Sequence, residues 1–71
     1  MELRVRLDEI LATKEAARTL PRALDRLDSG EAAHLVITRR NTPRAVLITL
    51  ERYEELLQAE AALSRALARA A

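Results

Sequence analysis

The sequence predicts an α+β fold: a small N-terminal mixed α/β domain of one strand, two short helices and a β-hairpin, followed by a C-terminal helix. Three observations carry this. Two aliphatic, β-branched runs, Leu35-Val36-Ile37-Thr38 and Ala45-Val46-Leu47-Ile48-Thr49, flank a turn-forming stretch with Asn41 and Pro43. Apolar residues recur at helical spacing before that hairpin, at Leu20, Ala23, Leu24 and Leu27, and after it. Pro21 and Ser29-Gly30 punctuate the chain where helices start and stop.

The elements follow in order. Residues 2–8 alternate, with Leu3, Val5 and Leu7 on one side and Arg4 and Arg6 on the other, which is a short strand pattern. Glu9-Ile10-Leu11-Ala12 is a second candidate strand. Thr13 stands where an N-cap belongs, ahead of Lys14-Glu15-Ala16-Ala17-Arg18. Pro21 fits best as the first residue of a second helix, capped by Thr19 or Leu20. In that helix Asp25, Arg26 and Asp28 are expected to face outward. Gly30 is free to take a positive φ just past its end. The hairpin spans residues 35–49, and Asn41 suits a left-handed turn position. Thr49 caps a last helix starting at Leu50 or Glu51, with Tyr53, Leu56, Leu57, Leu63, Leu67 and Ala70 on one stripe and Glu60 interrupting it. Its alanine-rich part from Gln58 has high helix propensity but little side-chain volume to bury, so it is expected to need a packing partner.

Composition bounds the rest. With 71 residues the chain is one domain, and its 49% apolar content leans on alanine, with Tyr53 the single aromatic residue. Such a core is marginal, and no cysteine is present to cross-link it, so a homodimer is the expected device. No apolar run approaches a membrane span and the N-terminus lacks a secretory pattern, which predicts a soluble, cytoplasmic protein with no membrane partner. Net charge is +1. Residues 1–49 hold nine Lys and Arg against seven acids, while residues 50–71 hold three against four. The front is mildly basic and the tail mildly acidic.

The inventory argues against an enzyme. There is no Cys nucleophile, His34 is the only histidine, and Gly30 is the only glycine, so no Gly-rich phosphate loop exists. One histidine builds no metal site, and no cofactor is expected. His34 reads as a structural or exposed residue, and Glu54 and Glu55 as an ordinary solvated helix face. What remains is a rigid hairpin tip carrying Arg39, Arg40 and Arg44, whose natural target is phosphate.

Four segments in order resemble the Phd/YefM family of antitoxins from type II toxin–antitoxin modules. They are Thr13-Lys14-Glu15-Ala16-Ala17-Arg18-Thr19-Leu20, Ser29-Gly30-Glu31, the hairpin Ile37-Thr38-Arg39-Arg40-Asn41-Thr42-Pro43-Arg44-Ala45-Val46-Leu47, and Leu50-Glu51-Arg52-Tyr53-Glu54-Glu55-Leu56-Leu57. Together they cover about residues 9–57. Asn41 stands where the family usually has Gly, and Arg52 where an acid is common, so no capping box forms with Thr49.

The resemblance implies an antitoxin that neutralises a cognate toxin through its C-terminal segment and, as a dimer, binds operator DNA to repress its own operon. Residues 1–57 would be the dimerisation and DNA-binding domain, and residues 58–71 the helical toxin-binding tail, often disordered in the family when free. Arg18 and Arg39 would lead the DNA contacts, with Lys14, Arg22 and Arg40 as helpers. Tyr53, Leu56 and Leu57 are expected at the dimer interface, and Leu56, Leu63 and Leu67 against a RelE-like ribonuclease or Doc-like toxin. Arg44, across the pleat, reads as a surface residue. Two other readings stay open: a ribbon-helix-helix regulator using Leu3-Arg4-Val5-Arg6-Leu7 as its ribbon, and a small dimeric interaction module without DNA binding.

Overall fold

A computed structural model describes residues 4–70 of the chain. The elements are β1 (Ile10–Ala12), α1 (Thr13–Arg18), α2 (Leu20–Asp28), β2 (Leu35–Arg39), β3 (Thr42–Leu47) and α3 (Leu50–Ala70). The strands make one sheet in the order β1-β2-β3, with β1 parallel and β3 antiparallel to β2. The fold is α+β, as the sequence predicts.

The strand expected over residues 2–8 is absent from its described part. Residues 4–6 are irregular, and Leu7–Glu9 form a single 3-10 turn. Residues 2 and 3 lie outside the described residues. The cause is local: the Arg6 N–H donates to Glu9 Oε1 at 2.9 Å, and the Glu9 N–H donates to the Arg6 carbonyl at 2.9 Å. This reciprocal cap closes a turn, and the weak Leu3-Val5-Leu7 alternation loses to it. The first strand is instead the second candidate, shortened to Ile10–Ala12.

Thr13 does not cap α1. Ala12 holds the N-cap position without a side-chain bond, and Thr13 is already helical. Its hydroxyl donates to the Thr38 carbonyl at 2.8 Å, tying α1 to β2. The second helix begins at Leu20, one residue before Pro21, so the proline sits in the first turn, where its missing N–H leaves no bond unmade. Gly30 follows α2 with φ +82°, its N–H donating to the Leu27 carbonyl at 3.2 Å, and the Ala32 N–H donates to the Arg26 carbonyl at 3.1 Å. This is the left-handed helix exit expected of Ser29-Gly30.

Arg26 does not face solvent. Its side chain is only 19% exposed, with Nε donating to Glu31 at 2.7 Å and Nη2 to the Asp8 carbonyl at 2.9 Å. It clamps the N-terminal turn and the loop after α2 onto the helix that carries it. Asp25 and Asp28 are exposed as expected. Half of the α2 stripe is buried, at Ala23 and Leu27, while Leu20 and Leu24 remain open.

The hairpin is tighter than its sequence suggests. Its turn is Arg40-Asn41 alone, with φ +54° and +62°, the two positive angles of a type I′ turn that matches strand twist. Pro43 belongs to β3 rather than to the turn, at a sheet edge that tolerates its missing donor. β3 ends at Leu47, so Ile48 and Thr49 lie beyond it.

The core is Ala23, Leu27, Ala32 and Leu35, with Leu11 and Leu47 packed against it. Leu35 pairs with Leu47 across the hairpin and is fully buried, so Leu35→Ala costs about 2–5 kcal/mol, a large share of what so small a core supplies. Thr49 caps α3: its Oγ1 accepts the Arg52 N–H at 3.1 Å. The helix then runs unbroken through residues 57 and 58 to Ala70, and none of its residues is buried.

Candidate nucleic-acid interface

The hairpin and the start of α1 build one cationic end of the molecule. Arg39 ends β2, opposite Thr42, and Arg40 occupies the turn. Lys14 is brought beside them because β1 lies parallel to β2, pairing Ala12 with Thr38, and the Thr13–Thr38 hydrogen bond fixes the join. A hollow of about 320 Å³ results, lined by Thr13, Lys14, Thr38, Arg39, Arg40 and Asn41. Among the described residues none of Lys14, Arg39 and Arg40 has an acidic partner within ion-pair distance. Their donors are available to an anion, and a guanidinium presents paired N–H groups that match phosphate oxygens.

The other two residues expected at the site do not line this hollow. Arg18, in the last turn of α1, pairs with Glu15 at 2.6 Å and lines neither wall of the hollow. Its charge is partly met within its own helix, although the pair is exposed and therefore weak. Arg22 lines a separate depression with Leu11, Glu15, Thr19, Ala23 and Arg26. Arg44 lines a second hollow at the hairpin together with Arg39, Arg40 and Thr42.

The residues expected to meet protein partners are all on α3. Tyr53, Leu56 and Leu57 are about half exposed, and Leu63 and Leu67 more so, at 60% and 63%. Arg52 pairs with Glu55 at 3.0 Å on the polar side. The stripe, interrupted at Glu60, is thus an apolar face that among the described residues is left open, with no residue of α3 buried.

A buried acidic group went unread in the sequence. Glu9 is 5% exposed, and its carboxylate accepts the Arg6 N–H and lies 3.7 Å from His34 Nε2. The Arg6 backbone bond, then the Arg6 guanidinium and the His34 imidazole, hold its carboxyl below the usual carboxylate range against the opposing effect of burial. The spacing Arg6-x-x-Glu9, an acid three residues past a turn start, is the signal that marks it. The cluster sits at the opposite end of β1 from the hairpin tip, as a clasp for the N-terminal turn.

Among the described residues, no group of three or more His, Cys, Asp or Glu is placed to hold a metal ion. Among the described residues no helix is long and apolar enough to cross a membrane. Comparison with protein families, with curated proteins and with solved structures finds no match to this chain.

Proposed function

We propose that the chain is an antitoxin of the Phd/YefM type, a non-enzymatic cytoplasmic homodimer with two working surfaces. The hairpin tip and α1 bind operator DNA and repress the chain's own operon. The α3 stripe binds protein: Tyr53, Leu56 and Leu57 in the dimer, and Leu56, Leu63 and Leu67 in a RelE-like or Doc-like toxin. The observation that carries the DNA half is the uncompensated set of Lys14, Arg39 and Arg40 around one hollow. Two copies related by a two-fold axis would meet two half-sites of a palindrome. The toxin half is supported by a long helix whose apolar stripe is exposed throughout, the form in which an amphipathic helix enters a partner's groove.

A gel shift on the DNA upstream of the gene, over a range of salt, tests the first half. Arg39→Ala should bind more weakly and with a flatter dependence of log K on log salt. Unchanged binding removes Arg39 from the site. The ribbon-helix-helix reading loses support, because residues 4–6 are in no strand. A dimeric interaction module without DNA binding is favoured by one observation, the exposed α3 stripe beside a net charge of only +1. A dimer that shifts no duplex at low salt would establish it.

A further inference from the structure

The hairpin holds one more residue on β3 than on β2. Ile37 pairs with Ala45 and Thr38 with Pro43, so Arg44 opposes no residue of β2. A bulge of this kind bends its strand and re-aims a side chain. The side chain here is a guanidinium, and it lines a hollow of about 390 Å³ with Arg39, Arg40 and Thr42.

Three guanidiniums therefore line one concavity, and among the described residues none is paired with an acid. Like charges held this way repel in the free protein, and an anion with several oxygens relieves that repulsion while accepting their hydrogen bonds. Arg39 and Arg40 also wall the neighbouring hollow that holds Lys14. The two hollows share that wall, one on the strand side of the turn and one on the helix side.

We propose that these are two adjacent phosphate seats, one completed by Arg44 and the other by Lys14, which grip neighbouring phosphates of one DNA strand. The proposal rests on the DNA-binding reading for its polyanion, but the seats themselves follow from the bulge and the shared arginine wall. Arg44 is then a contact to the backbone that carries no sequence information. It fixes how the hairpin sits on the duplex, whatever the bases.

The test is a fluorescence-anisotropy titration of the full chain against two duplexes of equal length, the upstream DNA and a scrambled one, over a salt series. Arg44→Ala and Lys14→Ala should each flatten the slope of log K on log salt by about one on both duplexes. The affinity ratio between the duplexes should stay the same, and Arg44→Lys should restore most of the slope. Both residues are exposed, and circular dichroism checks that the variants fold. An unchanged slope for Arg44→Ala, or a changed ratio with the slope intact, overturns the proposal. If the native chain binds neither duplex, the DNA reading fails separately, and inorganic pyrophosphate followed by NMR decides the seats. Joint movement of the Arg39, Arg40 and Arg44 Nε–H signals upholds them as anion seats, and no movement overturns them.

Discussion

The Thr13 hydroxyl donates to the carbonyl of Thr38 at 2.8 Å, so the first residue of α1 is fastened to the strand that carries Arg39. Neither residue is charged, yet the bond sets how near Lys14 stands to the arginines. Thr13→Val keeps the shape and removes the donor. It should cost about 1 kcal/mol, seen as a lower urea midpoint with unchanged slope, and weaken DNA binding more than its distance from phosphate suggests. A native midpoint would show that the bond is replaced by water at no loss.

Arg40 holds φ +54° without being Gly, Asn or Asp, and a left-handed residue of that kind is strained. Arg40→Asn should therefore stabilise the hairpin by up to about 1 kcal/mol while weakening duplex binding. Thermal unfolding and a binding titration on the same variant read the two effects. A variant that loses both stability and binding contradicts the strain argument.

Asn41 is the matching case on the other side of the turn, at φ +62°. Asn41→Gly should be tolerated, whereas Asn41→Val should destabilise by about 1–2 kcal/mol and broaden the hairpin amide signals. Equal stability of the two variants would mean that the turn can adopt another type.

Glu9 makes the fold sensitive to acid. Its carboxyl is held below the usual range in the folded state, so its contribution is present above the unfolded value and disappears as the pH falls through the folded one. Stability should drop on the acid side of the ordinary carboxylate range. Glu9→Gln should flatten that limb in a urea series at stepped pH. A variant that keeps the native acid limb would assign the loss to other carboxylates.

Removing residues 58–71 should leave dimerisation and DNA binding intact and abolish toxin neutralisation. Size-exclusion chromatography, a gel shift and a co-expression rescue assay separate the three. Full rescue by the shortened chain would overturn the division of labour along α3.

The sequence made the local elements legible. Aliphatic β-branched runs marked both hairpin arms, Asn41 marked the left-handed turn, Gly30 marked the α2 exit and Thr49 marked the cap of α3, because each depends on a few neighbouring residues. What it hid depends on distant partners. Arg26 reads as a solvent-facing helix residue until Asp8, 18 positions away, is placed beside it. Thr13 reads as a cap until β2 supplies a carbonyl. Arg44 carries no sign of a bulge, since no Gly accompanies it, and the extra residue appears only in the register against Ile37 and Thr38. For the candidate site, the arginines of the tip were legible. Their grouping with Lys14 around one hollow, which neither Arg18 nor Arg22 lines, was not.

The Thr13–Thr38 join also has a temporal side. Its residues lie 25 positions apart, whereas the hairpin closes over a two-residue turn. Local closure is fast and long-range closure is slow, so the arginine half of the tip forms early and the lysine half arrives later, with β1. The same order runs backwards in the native state. β1 is three residues long and lies at the sheet edge, so it is the strand most readily lost in local opening. Each such opening carries Lys14 away while the arginines stay in register, and hydrogen exchange should find the amides of Ile10–Ala12 trading long before those of Leu35–Ile37.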